Sequence, residues 1–332
     1  GKSQALYWSG RTDEAFRLIE QVREKLPEDR EVAAVLEGFR EAERQRAAQL
    51  AAVPPDVDTL IRSYQDILSR NPRDFEALRM MGELYGRKNN FREAITYYRR
   101  AHQERPADRQ VQLTLARMLS WNREYTEAVQ LYRDLTRKDP NPNYLLELAR
   151  VLSWSGRPSD SLEVYERVLE LQPENVEARL GMARVLSWGR NYDQSLQNYR
   201  LVLAREPGSR DVQVEYARVY AWKGDLDRAV KLFSDLQQLY PRDRDVLLGK
   251  AQALQWSGRA SQAREILEPL RAEHPKDQEV LLALAGAQLA LGRQDLALRE
   301  VQQAEALDPS NRDVQLLRSL ILKPVSYTHL TL

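Results

Sequence analysis

Cysteine is absent from this 332-residue chain, which excludes disulfide bonds, thiolate nucleophiles and cysteine metal sites. Histidine occurs only three times, at His102, His274 and His329. These stand far apart with no companion ligand nearby, so no zinc constellation forms from the sequence. There is no apolar run approaching the ~20 residues that a membrane-spanning helix needs. An excess of either charge is missing too: 50 Lys and Arg against 49 Asp and Glu leave a net charge of +1. A balanced chain projects no global field that would gather nucleic acid. Glycine-rich phosphate loops, nucleophile elbows and HExxH helices are also absent. The acidic residues fall at helical spacing, where they form solvated faces with i,i+4 partners, the stretch 41–46 included. These absences argue against an enzyme, with no catalytic residue, metal or cofactor expected.

What is present is periodic. Trp121, Trp154, Trp188, Trp222 and Trp256 recur in step, the last four 34 residues apart and the first interval one shorter. Tryptophan is too rare for this to be chance, so one supersecondary unit is copied end to end. Prolines keep the same frame at Pro72, Pro106, Pro140, Pro173, Pro207, Pro241, Pro275 and Pro309, each expected just after a helix that it cannot continue. Shortly after each comes a residue suited to cap the next helix: Asp74, Asp108, Asn141, Asn175, Ser209, Asp243, Asp277 or Asn311. Small residues such as Ala149 and Ala183 on the first helix, and Ser161 and Ser195 on the second, allow close approach. A bulky knob follows four residues after the second small position: Tyr98, Tyr132, Tyr165, Tyr199, Phe233, Leu267 and Val301. Gly156, Gly224, Gly258 and Gly292 mark the turn between paired helices.

This small–aromatic–small–proline pattern resembles the tetratricopeptide repeat, whose 34-residue unit is a pair of antiparallel helices. The resemblance covers nearly the whole chain. It implies an all-α fold, an α-solenoid or superhelix of antiparallel helix pairs, expected over residues 1–323. Trp8, Gly10, Ala15, Ile19 and Pro27 repeat the spacings of Trp256, Gly258, Ala263, Leu267 and Pro275. The next interval, from Pro27 to Pro72, is one repeat and 11 residues more. Eleven residues are close to three turns at about 3.6 residues per turn, so the insertion keeps its apolar face in phase. A single lengthened first helix is therefore expected over 31–52, packing through Val32, Val35, Leu36 and Phe39. Pro54 and Pro55 end it, and Asp56 or Asp58 caps the next.

Both ends read as cut. The chain opens on Gly1, near the close of a first helix, and the helix beginning at Arg312 lacks its partner. Residues 325–332, VSYTHLTL, resemble a translated sequencing adapter, so 324–332 are expected to be an artefact and stand outside the fold.

The first helices carry a second periodicity. Arg117, Arg150, Arg184 and Arg218 lie four residues before Trp121, Trp154, Trp188 and Trp222, which makes each pair neighbours on one helix face. Ser120, Ser153 and Ser187 precede three of the tryptophans. The family resemblance implies that the first helices line a concave groove that binds extended ligands. Arg117, Trp121, Arg150, Trp154, Arg184, Trp188, Arg218, Trp222 and Trp256 are then the candidate ligand-binding ladder. A protein or peptide is the expected partner, with arginines pairing to acidic side chains or a terminal carboxylate. Packing is the competing reading, because repeat-periodic residues most often stack neighbouring repeats. In that case the rings are buried, with arginines stacked on them or bridged to Glu177, Asp211 and Asp245. Finally, the run ARVLSWSGR at 149–157, echoed by ARVLSWGR at 183–190, resembles periplasmic repeat regions of bacterial exopolysaccharide-secretion proteins of the cellulose-synthase-operon type. That resemblance implies a periplasmic module of an export machine and an exopolysaccharide chain as the alternative ligand, with aromatic faces stacking on sugar rings.

Overall fold

The computed structural model describes residues 12–25, 32–41 and 56–322. Every regular element among them is an α-helix. The chain divides into two compact units, Gly1–Pro106 and Ala107–Leu332.

The first unit contains α1 (Thr12–Lys25), α2 (32–41), α3 (Val57–Arg70), α4 (Phe75–Arg87) and α5 (Phe91–Glu104). Ala15 and Ile19 of α1 are buried against Leu36 and Phe39 of α2, with Val32 and Val35 packed beside them. The expected apolar face of the lengthened helix is therefore in use. Its extension over 42–52, like Trp8, Pro27 and the 324–332 tail, lies outside the described residues. Asp56 supplies the cap of α3, accepting from the Thr59 amide at 2.9 Å. Gly82 lets α4 approach α5 closely, since a Cβ there would stand 2.7 Å from the Tyr98 ring.

The second unit is a run of six helix pairs and one further helix. The first helices are α6 (Arg109–Trp121), α8 (Pro142–Trp154), α10 (Val176–Trp188), α12 (Arg210–Lys223), α14 (Arg244–Trp256) and α16 (Gln278–Ala290). Their partners are α7 (Tyr125–Lys138), α9 (Pro158–Leu171), α11 (Tyr192–Arg205), α13 (Leu226–Leu239), α15 (Ala260–Glu273) and α17 (Gln294–Leu307), and α18 (Arg312–Leu322) follows. The caps fall where the frame puts them. Asp108, Asn175 and Asp243 accept from backbone amides three residues on, at 2.9–3.0 Å. Ser209 holds its N-cap position without a side-chain bond, a departure from expectation.

Packing follows the repeat. The small positions are fully buried, and the knobs Tyr132, Tyr165, Tyr199, Phe233, Leu267 and Val301 are buried beside them. Ser161 and Ser195 do more than save space. Their hydroxyls donate at 2.7 Å to the carbonyls of Ala149 and Ala183 on the partner helix, which satisfies a polar group that burial would otherwise penalise. Successive repeats are also tied by ions. Arg244 Nε donates to Asp277 at 2.8 Å and its Nη2 to Glu279 at 2.6 Å. The Asp277 carboxyl is held below its ordinary pKa chiefly by that bond from Arg244, so the pair is ionised at neutral pH.

The turns between paired helices require a left-handed residue. Gly156, Gly224, Gly258 and Gly292 take φ of 72–91°, as expected, while Asn89, Arg123 and Arg190 occupy the same repeat position at 56–63°. Side chains bear a steric cost there that glycine avoids. Arg190→Gly is expected to raise stability by about 0.5–1 kcal/mol, the strain relieved less the unfolded-state entropy gained. A shift of the urea midpoint to higher denaturant checks this, and a lower midpoint refutes it.

Candidate functional site

Each ladder tryptophan sits at or next to the end of a first helix, where the chain leaves the packed pair. That position decides its environment. Trp121, Trp154, Trp188, Trp222 and Trp256 are 44–60% exposed, although the same repeats bury Tyr132, Tyr199 and Phe233 almost completely. The packing expectation of buried rings is therefore not met. Nor do arginines stack on Trp154, Trp188, Trp222 or Trp256; among the described residues the arginine–ring contacts include Arg228 over Tyr220 at 4.6 Å.

The arginines instead bind carboxylates on the next first helix. Arg184 donates through Nε and Nη2 to both oxygens of Glu215, at 2.9 and 2.7 Å. Arg150 pairs with Glu177 and also, at 3.7 Å, with Glu147 of its own helix. Arg117 reaches Glu147 at 3.4 Å, and Arg218 lies 3.9 Å from Asp245. Two of the expected acids, Glu177 and Asp245, are used, while Asp211 is replaced as the partner of Arg184 by Glu215. The serines also correct the expected stripe: Ser120 and Ser187 are buried, their hydroxyls donating at 2.7 Å to the carbonyls of Ala116 and Arg184 in their own helices. Sequence reasoning missed Glu147 and Glu215. The signal was their position two residues before the small residues Ala149 and Ala217.

Two hollows open between consecutive first helices of the second unit. The smaller, about 130 Å³, is walled by Trp154 and Trp188, with Arg150 and Arg184 at its rim and Tyr165 and Gly181 below. The larger, about 680 Å³, is walled by Trp222 and Trp256, with Arg218 at its rim and Phe233 and Gly249 below. The ladder residues from Arg150 to Trp256 thus do line common hollows, whereas Arg117 and Trp121 line neither of these two. Burial pushes the Tyr165 hydroxyl up to about 12, so it remains a neutral donor. Burial opposes ionisation of Asp245 in the larger hollow, but hydrogen bonds from Arg244 and Arg210 outweigh it and hold the carboxyl below its ordinary pKa.

Among the described residues, no three of His, Cys, Asp and Glu are grouped to hold a metal ion, and no helix is long and apolar enough to cross a membrane. The arrangement offers aromatic faces beside internally compensated charge, which suits binding.

Comparison with known proteins places this architecture. A family model described as tetratricopeptide repeat matches residues 87–151, 189–253, 223–279 and 257–321. Two further models with the same description match 142–185 and 61–109. A tetratricopeptide repeat protein from Parabacteroides merdae superposes with a TM-score of 0.66 at 19% identity, over 74% of this chain and 98% of that one. Yeast Tom70 gives 0.53 at 14% identity, over 96% of this chain and 80% of its own. The C-terminal part of a repeat protein from Cytophaga hutchinsonii gives 0.51 at 14% identity, over 71% and 97%. Identities this low speak to the fold alone. No curated protein sequence matches the chain significantly.

Proposed function

The chain belongs to the tetratricopeptide-repeat family, and from that premise we propose that it is a non-catalytic scaffold seating an extended segment of a protein partner along its tryptophan ladder. One observation carries this reading: five tryptophans at one repeat position stay about half exposed, while the aromatic knobs of the same repeats, Tyr132, Tyr165, Tyr199 and Phe233, are buried. Large aromatic side chains with one free face are the residues that most often dominate binding energy at interfaces. The arginines take a different part from the one expected of them. Engaged by Glu147, Glu177, Glu215 and Asp245, they fix neighbouring first helices and leave recognition to the rings. Association through uncharged surface depends little on salt.

The setting we propose is a bacterial envelope assembly, on the resemblance of the 149–157 and 183–190 runs to secretion proteins. Within it, a polysaccharide chain in an export machine is the second reading, favoured by the same open ring faces, which can stack on sugar rings. Screening the whole chain against a phage-displayed random peptide library and a panel of neutral oligosaccharides separates the two. Enrichment of peptides that shift tryptophan emission to the blue is the expected result. Retention of oligosaccharides with no peptide enriched overturns the protein-partner reading.

A further inference from the structure

The smaller hollow is repeated within the larger, which extends further along the ladder to Glu279, Leu282 and Asp313. Of the ten residues lining the smaller, nine have a counterpart 68 residues later lining the larger, Val185 being the exception. Trp154 and Trp188 correspond in this way to Trp222 and Trp256, Tyr165 to Phe233 and Gly181 to Gly249. Sixty-eight residues are two repeats, so these two hollows stand two steps apart on the ladder.

The cause is a single alternating position on the first helix: Glu147, Gly181, Glu215, Gly249. Where it is glutamate, the carboxylate occupies the space between first helices. Glu215 accepts from both Arg184 nitrogens and from the Tyr199 hydroxyl at 2.9 Å, and Glu147 draws in Arg117 and Arg150. Where it is glycine, the aromatic knob of the preceding second helix moves onto the bare backbone. A Cβ at Gly181 would stand 2.3 Å from the Tyr165 ring, and one at Gly249 would stand 2.4 Å from that of Phe233. No carboxylate at this position then fills the space, and a hollow floored by a ring remains between two tryptophans, with Glu177 lining the smaller and Asp245, Glu279 and Asp313 the larger.

Resting on the groove reading above, we infer that Gly181 and Gly249 create a pair of matched anchor subsites. Each takes a bulky uncharged side chain from one extended peptide segment. The rim chemistry selects that occupant. Arg150, Arg184 and Arg218 already face carboxylates, so an acidic anchor gains no free counter-ion. A sugar ring brings hydroxyls on every edge, more than the uncommitted amides of Gln252 and Gln255 in the larger hollow can satisfy. An apolar side chain brings none, and its peptide's backbone groups remain in the open groove. Spacing follows from helix packing. First helices of successive pairs lie side by side, α8 packed on α10 and α12 on α14, with Arg184 and Glu215 bridging α10 to α12. Packed helices lie about 8–10 Å apart, so two steps span roughly 16–20 Å. At about 3.3 Å per residue, an extended strand covers that in five or six residues.

Peptides selected from a phage-displayed random dodecapeptide library against the whole chain provide the test. Enriched sequences should carry two bulky uncharged residues five or six positions apart. Trp154→Ala, which opens the first hollow, and Trp256→Ala, which opens the second, should each weaken such a peptide tenfold or more. Leu239→Ala, at an exposed apolar residue of the second helix α13 and away from the ladder, should change its Kd less than twofold. Gly181→Glu supplies the carboxylate that Glu215 supplies one repeat later and should remove selection at one anchor only. Should that variant fail to fold, the other three variants decide. A single anchor or spacing without pattern overturns the paired subsites and leaves the groove reading standing, while an equal loss from Leu239→Ala overturns both. If no peptide is enriched, both fall.

Discussion

Replacing Trp188 and Trp222 together by alanine is expected to abolish peptide binding while the protein stays folded. The two rings wall different hollows and are 60% and 44% exposed in the free chain. An interface hot spot contributes about 2 kcal/mol or more, so losing two weakens Kd by roughly several hundredfold. The cost to folding is smaller than for a fully buried ring, because only the buried part of each ring is lost from the interior. About 60–140 Å² of covered surface per ring corresponds to about 1.5–3.5 kcal/mol. Fluorescence anisotropy of a labelled, library-selected peptide reads the first quantity, and far-ultraviolet circular dichroism with urea unfolding reads the second. Unchanged affinity would show that the ladder is not the binding surface. A collapse of helical signal would return the tryptophans to a packing role.

Phe233→Ala is expected to do the opposite, crippling stability first. Its ring is fully buried, packs beside Ala217, Ala229 and Leu236 in the core of the repeat and covers the Gly249 backbone. Truncation of such a ring costs about 3–5 kcal/mol, because transfer energy and cavity both count. In a repeat array each unit leans on its neighbours, so the loss weakens the coupling of α12–α13 to α14–α15 as well. The expected result is a markedly lower urea midpoint, with hydrogen exchange accelerated most in those four helices. A midpoint within the error of the wild type would show that the interior tolerates the void and that Phe233 serves mainly as the floor of the hollow. Together the two predictions separate aromatic residues that hold the solenoid from those that face its ligand.

Much of the second unit was legible because its signals are local. Pro140, Pro173 and Pro207 each fall two residues beyond a helix end. Asn141 caps α8 with Pro142 in its first turn, where the period shortens. The turn glycines have positive φ. Each rests on backbone chemistry within a few residues, which a repeated sequence displays many times over. The arginine–tryptophan register was also visible, since i,i+4 spacing fixes which side chains share a face. Whether the rings are covered was not visible. Burial of Trp188 depends on what the next repeat puts above it, and no property of the Arg184–Trp188 segment reports that.

The alternation at 147, 181, 215 and 249 shows the division most clearly. Glutamate and glycine stand in plain view at those positions, yet their spacing says only that they lie on the first helix. Packing decided their meaning by bringing each position against the knob of the preceding second helix, Tyr199 against Glu215 and Phe233 against Gly249. It likewise drew Arg184 to Glu215 in place of Asp211, because a long flexible guanidinium takes the acid that geometry presents and not the one that spacing suggests. By itself the sequence determined the helices, their caps and turns, the antiparallel pairing and the residues that form the core, all set by short-range sterics and a repeated apolar pattern. Only the tertiary structure decided which carboxylates neutralise the ladder arginines, which rings stay open and where the groove is hollow, because each depends on side chains brought together from neighbouring repeats.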